Sequence, residues 1–130
     1  MQDILNGLNN KQYEAVVQTE GPVLVIAGAG SGKTKVLTHK IAYIIQEKKA
    51  LPWQILAITF TNKAAKEMKE RVINLIGYDA KSIQISTFHS FGLKIIKENY
   101  ARLGYKSNFV ILDSDDTLTV VKKIMKDLNF

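Results

Sequence analysis

The chain has 130 residues, 46% of them hydrophobic and 23% charged, with no cysteine and a formal net charge of +6. That length fits one domain, and the lack of thiols excludes disulfides and thiolate metal sites while fitting a reducing compartment. Met1, Gln2 and Asp3 carry neither the basic stretch nor the apolar core of a secretory signal, and no apolar run approaches the roughly 18 residues that span a bilayer, so the sequence reads as cytoplasmic with no membrane partner.

In chain order, residues 8–17 read as a short helix, with Asn9 or Asn10 as its cap and Leu8 stapling its entry. Gln12 falls in the first turn. An amide there either pairs with an adenine edge, donating and accepting at once, or is a plain surface glutamine. Gly21 and Pro22 then break the chain and start a first strand over residues 23–27.

This apolar strand meets a run of small residues: Ala27, Gly28, Ala29, Gly30, Ser31 and Gly32, followed by Lys33 and Thr34. A buried strand, an almost bare backbone loop and a helix N-terminus together suit polyphosphate, because inward-turned amides form a nest of donors and the helix end adds partial positive charge. Lys33 would place a full charge on the outer phosphates, and the Thr34 hydroxyl suits Mg²⁺. The pattern GxxxxGK(S/T) is met except at its first position, where Ala27 stands for glycine. Gly28 and Gly30 keep the loop permissive. The alternative is a glycine-rich strand-to-helix turn that binds nothing.

Val36, Leu37, Ile41, Ile44 and Ile45 recur at helical spacing after the loop. That helix ends near Lys48 and Lys49, and residues 55–60 follow as a second strand, apolar on both faces. Strand, helix and strand at this spacing give a right-handed crossover. Thr61 and Asn62 cap a further helix with Ala64, Ala65, Met68, Val72, Leu75 and Ile76 on its apolar stripe, a surface Glu67–Arg71 pair, and Gly77 at its end. A third strand over 82–87 runs into Phe88, His89 and Ser90, which open a helix that Gly104 closes. Residues 109–112 form a short strand or extended run, and Asp113 or Ser114 caps a last helix with Leu118, Val121, Ile124, Met125 and Leu128 on its stripe.

Strands each followed by a helix define an α/β domain, in which ligands gather at the carboxyl ends of the strands. The turns at Gly32 to Thr34, Phe60 to Asn62 and Thr87 to His89 therefore belong on one rim. Phe60 reads either as a core aromatic ending its strand or as a stacking platform on that rim. His89 has no carboxylate to orient it as a catalytic base, so it reads as a phosphate contact or a structural cap. Between positions 33 and 71, nine Lys/Arg stand against three Glu, the whole of the net excess. Such a basic zone serves a polyanion such as nucleic acid, or is a solvated helix face.

Four blocks now stand in register: Leu8, Asn9 and Gln12; the loop from Ala27 to Thr34; Thr59, Phe60, Thr61, Asn62, Lys63, Ala64 and Ala65; and Ser86, Thr87, Phe88, His89 and Ser90. Together they resemble the amino-terminal part of UvrD/PcrA/Rep-type superfamily 1 DNA helicases over essentially the whole chain. Alanine at the loop's first position is usual in that family. The resemblance implies a partial P-loop NTPase domain over residues 1–108, with a RecA-like parallel sheet flanked by helices, and the start of a helical insertion domain over 109–130. It implies ATP-driven 3′→5′ translocation on single-stranded DNA by the full-length enzyme, in repair or replication at the nucleoid. ATP and Mg²⁺ would be its ligands. A DNA strand or single-strand/duplex junction, and the rest of the helicase with its second RecA-like domain, would be its partners.

Residue by residue, the resemblance implies that Gln12 reads adenine and that Ala27, Gly28, Ala29, Gly30, Ser31 and Gly32 cradle the phosphates. Lys33 would hold the β- and γ-phosphates and Thr34 would ligate Mg²⁺. Lys35 enters the nucleotide site where many relatives carry arginine, so it cannot make a fork-like contact. Phe60 would stack on a base, with Asn62, Lys63, Thr87 and His89 on the strand.

Hydrolysis in this class needs an Asp for Mg²⁺, a Glu that activates water, and arginine fingers. Asp113, Asp115 and Asp116 follow an apolar run and mimic such an acidic strand, but helix capping accounts for Asp113 and Asp116. The chain therefore reads as a truncated or split enzyme that binds ATP and hardly turns it over. A complete small P-loop phosphotransferase would need an Asp/Arg-rich acceptor site, and Arg71 and Arg102 are the only arginines. A non-catalytic nucleic-acid-binding adaptor would use the basic zone and bind no ATP. Later strands enter this sheet in the family, so open edges, marginal stability and self-association are expected.

Overall fold

The computed structural model describes residues 4–130. Its contacts fall into two units, a larger one ending at Gly92 and a smaller one, Leu93–Phe130.

In the larger unit, helix α1 (Asn10–Val17) starts where the Asn9 side chain accepts the Gln12 amide, while the Gln12 side chain accepts the Asn9 amide. This reciprocal cap satisfies two donors that the first helical turn would leave orphaned. Helix α2 (Lys33–Gln46) begins at Gly32, and α3 (Asn62–Ile76) begins at Thr61, whose hydroxyl accepts the Ala64 amide. Gly77, at φ 85°, stops α3. Short 3₁₀ turns, Pro52–Gln54 and Tyr78–Ser82, lead into strands β1 (Leu56–Thr59) and β2 (Gln84–Thr87). Helix α4 (Phe88–Asn99) leaves β2 directly.

Strands β1 and β2 pair in parallel, with Leu56 opposite Gln84 and Thr59 opposite Thr87, and α3 makes the crossover between them. The core beneath them is Ile41 of α2, Ala65, Met68 and Val72 of α3, and Ala80, Ile83 and Ile85. Ile45, Ile55, Ala57, Ile73 and Ile76 pack around it. The stripes expected on α2 and α3 thus converge on one face of the sheet.

The described residues contain a two-stranded sheet, not the three strands expected. Residues 23–27 run without a ladder partner among the described residues, and Leu24 and Ile26 are 84% and 89% exposed. An apolar run becomes a strand only where a neighbour takes up its amides and carbonyls, and β1 and β2 pair with each other instead. The two observed strands are also shorter than the expected 55–60 and 82–87. Leu37 departs from the buried stripe of α2. Together with Ile44, Leu56 and Ile58 it lines an apolar groove of about 280 Å³ between α2 and β1. Glu67 and Arg71 do not form the expected ion pair, whereas Lys11–Glu14 and Lys49–Glu20 do pair.

In the smaller unit, Gly104 at φ 78° ends the turn after α4, and the Tyr105 and Phe109 rings lie 5.9 Å apart. Residues 109–112 form no strand among the described residues, and the Phe109 amide closes a turn onto Lys106 O. Helix α5 (Ser114–Asp127) is capped by Asp113, which accepts the Asp116 amide at 2.8 Å, while Asp116 accepts the Asp113 amide. The acidic cluster is thus a capping box. The apolar stripe of α5 is exposed throughout, Leu118, Val121 and Ile124 included.

Candidate functional site

The loop ahead of α2 is a tight turn built on one carbonyl. Gly28 O accepts from the Ser31 hydroxyl at 2.6 Å and from the Ser31 amide at 3.4 Å. Lys33 curls back over this turn, its ammonium donating to Gly28 O at 2.7 Å and to Ala27 O at 3.0 Å. The chain enters α2 through Gly30 at φ 73° and Gly32 at φ 86°, both in the left-handed region that disfavours any residue with a Cβ.

Gly32 has a second constraint. A Cβ placed there would fall 2.7 Å from Gln12 Nε2. Gln12 reaches across from α1, donating through Nε2 to Ser31 O at 3.3 Å while its Oε1 holds the Asn9 amide. The Gln12 amide and the loop backbone therefore lie so close that a side chain at position 32 would have to push the end of Gln12 aside.

No side chain caps α2, and the amides of Lys33 and Thr34 make no hydrogen bond among the described residues. These are the orphan donors at the positive end of a helix. The Thr34 side chain is exposed and its hydroxyl is unpaired among the described residues. Between α1 and the loop lies a cleft of about 210 Å³, with Lys11, Gln12, Val25, Ile26 and Lys33 on its walls. Unbonded amides, an ammonium held only by loop carbonyls and an exposed hydroxyl together make a donor set suited to an anion. Among the described residues no group of three His, Cys, Asp or Glu could hold a metal by itself, so a divalent ion would rely on phosphate oxygens and Thr34.

Helix α2 also holds the preceding segment in place. Lys35 donates to Gly7 O, His39 Nδ1 meets Ile4 O, and Lys40 donates to both Ala15 O, at 3.0 Å, and Gln18 O. Lys35 is thus turned toward the arm before α1. Burial pushes the Lys40 ammonium below the usual lysine pKa, since desolvation disfavours its charged form.

At the other two turns, the parallel register sets the ends of β1 and β2 side by side. Phe60 is fully exposed at 102%, so it is not a core aromatic, and Phe88 at the equivalent place after β2 is 74% exposed. Asn62, Lys63 and His89 are exposed beside them. Thr87 is 6% exposed, and its hydroxyl accepts the Ser90 amide and donates to the Ser90 hydroxyl, which makes it the cap of α4. Phe88 was absent from the expected site residues. It shares with Phe60 the position one residue past a strand. No strand pairing joins the loop at 27–34 to these turns among the described residues.

Residues 8–130 match the family described as the UvrD/REP helicase N-terminal domain. The chain is 57% identical over 126 residues to the ATP-dependent DNA helicase PcrA of Bacillus subtilis (strain 168), an overlap of 97% of this chain and 17% of that protein. It is 50% identical over 130 residues to PcrA of Leuconostoc citreum, covering 99% of this chain and 17% of that protein. Against PcrA of Staphylococcus aureus (strain Mu50), identity is 53% over 129 residues, 99% of this chain and 18% of that protein. The chain spans less than a fifth of the length of these curated relatives.

Proposed function

The chain belongs to the UvrD/REP helicase N-terminal domain family, and from that premise we propose that it is the ATP- and single-stranded-DNA-binding amino-terminal part of an ATP-dependent 3′→5′ DNA helicase. The observation that carries this reading is the meeting of Gln12 and Lys33 on one loop, the first donating to Ser31 O and the second to Gly28 O. An amide able to read a base edge and an ammonium able to hold phosphates thus stand on either side of the same glycine turn. In this reading residues 1–108 are part of a RecA-like P-loop domain and 109–130 begin a helical insertion domain.

When Mg²⁺-ATP is bound, it supplies the phosphoanhydride whose cleavage drives movement along DNA. The chain's own residues bind and orient it. Lys33 would exchange its two carbonyls for phosphate oxygens, the Lys33 and Thr34 amides would face the anion, and the Thr34 hydroxyl would be available to hold Mg²⁺. Gln12 selects adenine. Ala27, Gly28, Ala29, Gly30, Ser31 and Gly32 form the cradle, and Lys35, bonded to Gly7 O, steadies its flank. The acidic pair and arginine fingers that hydrolysis requires come from the rest of the helicase, including a second RecA-like domain.

Phe60 stacks on a base, with Asn62, Lys63 and His89 along the strand and Thr87 fixing the turn that carries His89. Stacking of this kind tolerates any sequence and contributes about 1–3 kcal/mol per base. The DNA partner is a single strand or a junction with duplex, and the site of action is the nucleoid. Among the described residues no helix is long and apolar enough to cross a membrane. The reading is tested by titrating the chain with a fluorescent ATP analogue and, separately, with labelled oligo-dT. Saturable binding of both supports it; binding of neither overturns it.

A further inference from the structure

We propose that Lys40 is a positioning residue for base selection, setting the register of α1 against the phosphate loop so that Gln12 meets the adenine edge. The inference rests on the nucleotide reading of Gln12 given above. Lys40 lies two turns along α2 from Lys33, and its ammonium gathers Ala15 O and Gln18 O at the far end of α1. A cation at a helix C-terminus satisfies orphan carbonyls and complements the negative end of the dipole. At the near end of α1 the hydrogen bond to the loop is from Gln12 Nε2 to Ser31 O, long at 3.3 Å.

Helix α1 is eight residues long, too short to hold itself in water. Its place depends on what grips its ends. Val16 supplies an apolar anchor, fully buried, but apolar contact is non-directional and leaves rotation about that point open. Lys35 on Gly7 O holds the chain ahead of the helix, and the two Lys40 bonds fix its far end. They use backbone acceptors, so the clamp makes no demand on the side chains of α1 at those positions. Because α2 begins at Gly32 and carries Lys40, one rigid helix sets both the phosphate donors and the place of the base-reading amide. Loss of the clamp should therefore blunt discrimination between bases while leaving the hold on phosphates.

The test measures binding of fluorescent ATP and GTP analogues, and displacement by inorganic tripolyphosphate, for the chain and for Lys40→Met and Lys40→Arg. Lys40→Met keeps the apolar stem and removes the donors. The proposal expects its ATP-over-GTP preference to fall roughly fivefold, the size of one well-placed hydrogen bond, with tripolyphosphate binding unchanged and with preference recovered in Lys40→Arg. A purely structural role would weaken all three ligands together. If Lys40→Met loses its helical circular dichroism, Lys40→Gln, neutral and too short to bridge both carbonyls, is read in the same way. An ATP preference in the parent chain that survives both substitutions overturns the clamp and leaves the nucleotide reading standing. A parent chain that binds ATP and GTP alike overturns the Gln12 reading, and the clamp with it.

Discussion

The Gln12 amide nitrogen sits where a Cβ on Gly32 would come within 2.7 Å of it. Gly32 is therefore fixed twice, by its left-handed φ of 86° and by the amide beside it. A Gly32→Ala substitution should cost about 1–2 kcal/mol from the backbone alone, read as a lowered Tm. Since the clashing atom is the end of a flexible side chain, the glutamine should swing off Ser31 O, and ATP-over-GTP preference should drop as well. A Tm and preference both equal to the parent's would show that neither constraint operates.

Phe60 and Phe88 stand exposed at the neighbouring ends of paired strands. Phe60→Ala should weaken oligo-dT binding by about 1–3 kcal/mol, measured by fluorescence anisotropy at fixed salt. Binding of the ATP analogue should not change. Phe88→Ala, a position that only its exposure brings forward, is expected to weaken DNA binding in the same direction. Unchanged anisotropy in both would move the DNA strand elsewhere.

What could be read from the sequence divides by the range of the interactions involved. The caps at Asn9, Thr61 and Asp113 were legible to within one residue, and the stop at Gly77 outright, because a cap is a contract between residues three or four apart. That residues 23–27 find no ladder partner among the described residues was not legible, because strand character says nothing about which segment will supply the ladder. For Phe60, a terminal strand position fits core and rim equally until the neighbouring strand shows which side is covered. The glycine loop was plain from composition and order. The acceptors of Lys33, the turning of Lys35 toward Gly7 and the grip of Lys40 on α1 join residues up to 28 positions apart, and no local pattern announces them.

Asp113 and Asp116 exchange backbone and side-chain bonds at the start of α5. Asp113→Ala should lower stability by about 1 kcal/mol and leave Mg²⁺-dependent binding of the ATP analogue untouched. Thermal melts and a Mg²⁺ titration check the two halves. A loss of Mg²⁺ dependence would instead give this aspartate a role at the nucleotide.

Leu24 and Ile26 are exposed on a run without a ladder partner among the described residues, and an apolar groove lies open between α2 and β1. Apolar runs with free backbone groups template association. The chain should self-associate with rising concentration in sedimentation velocity, and the double substitution Leu24→Lys and Ile26→Lys should shift it toward monomer. A concentration-independent monomer in the parent would show that these surfaces do not meet.

The central claim is that residues 27–34 wrap a triphosphate with the Lys33 ammonium turned into the wrap, and calorimetric titration of the chain with Mg²⁺-ATP beside Lys33→Ala tests it most directly. Charge-assisted hydrogen bonds of about 1.5–3 kcal/mol correspond to a loss of roughly tenfold or more in affinity, so the account requires saturable binding by the parent and at least that loss in the variant. Equal affinity of the two proteins, or no heat of binding from the parent, would contradict it.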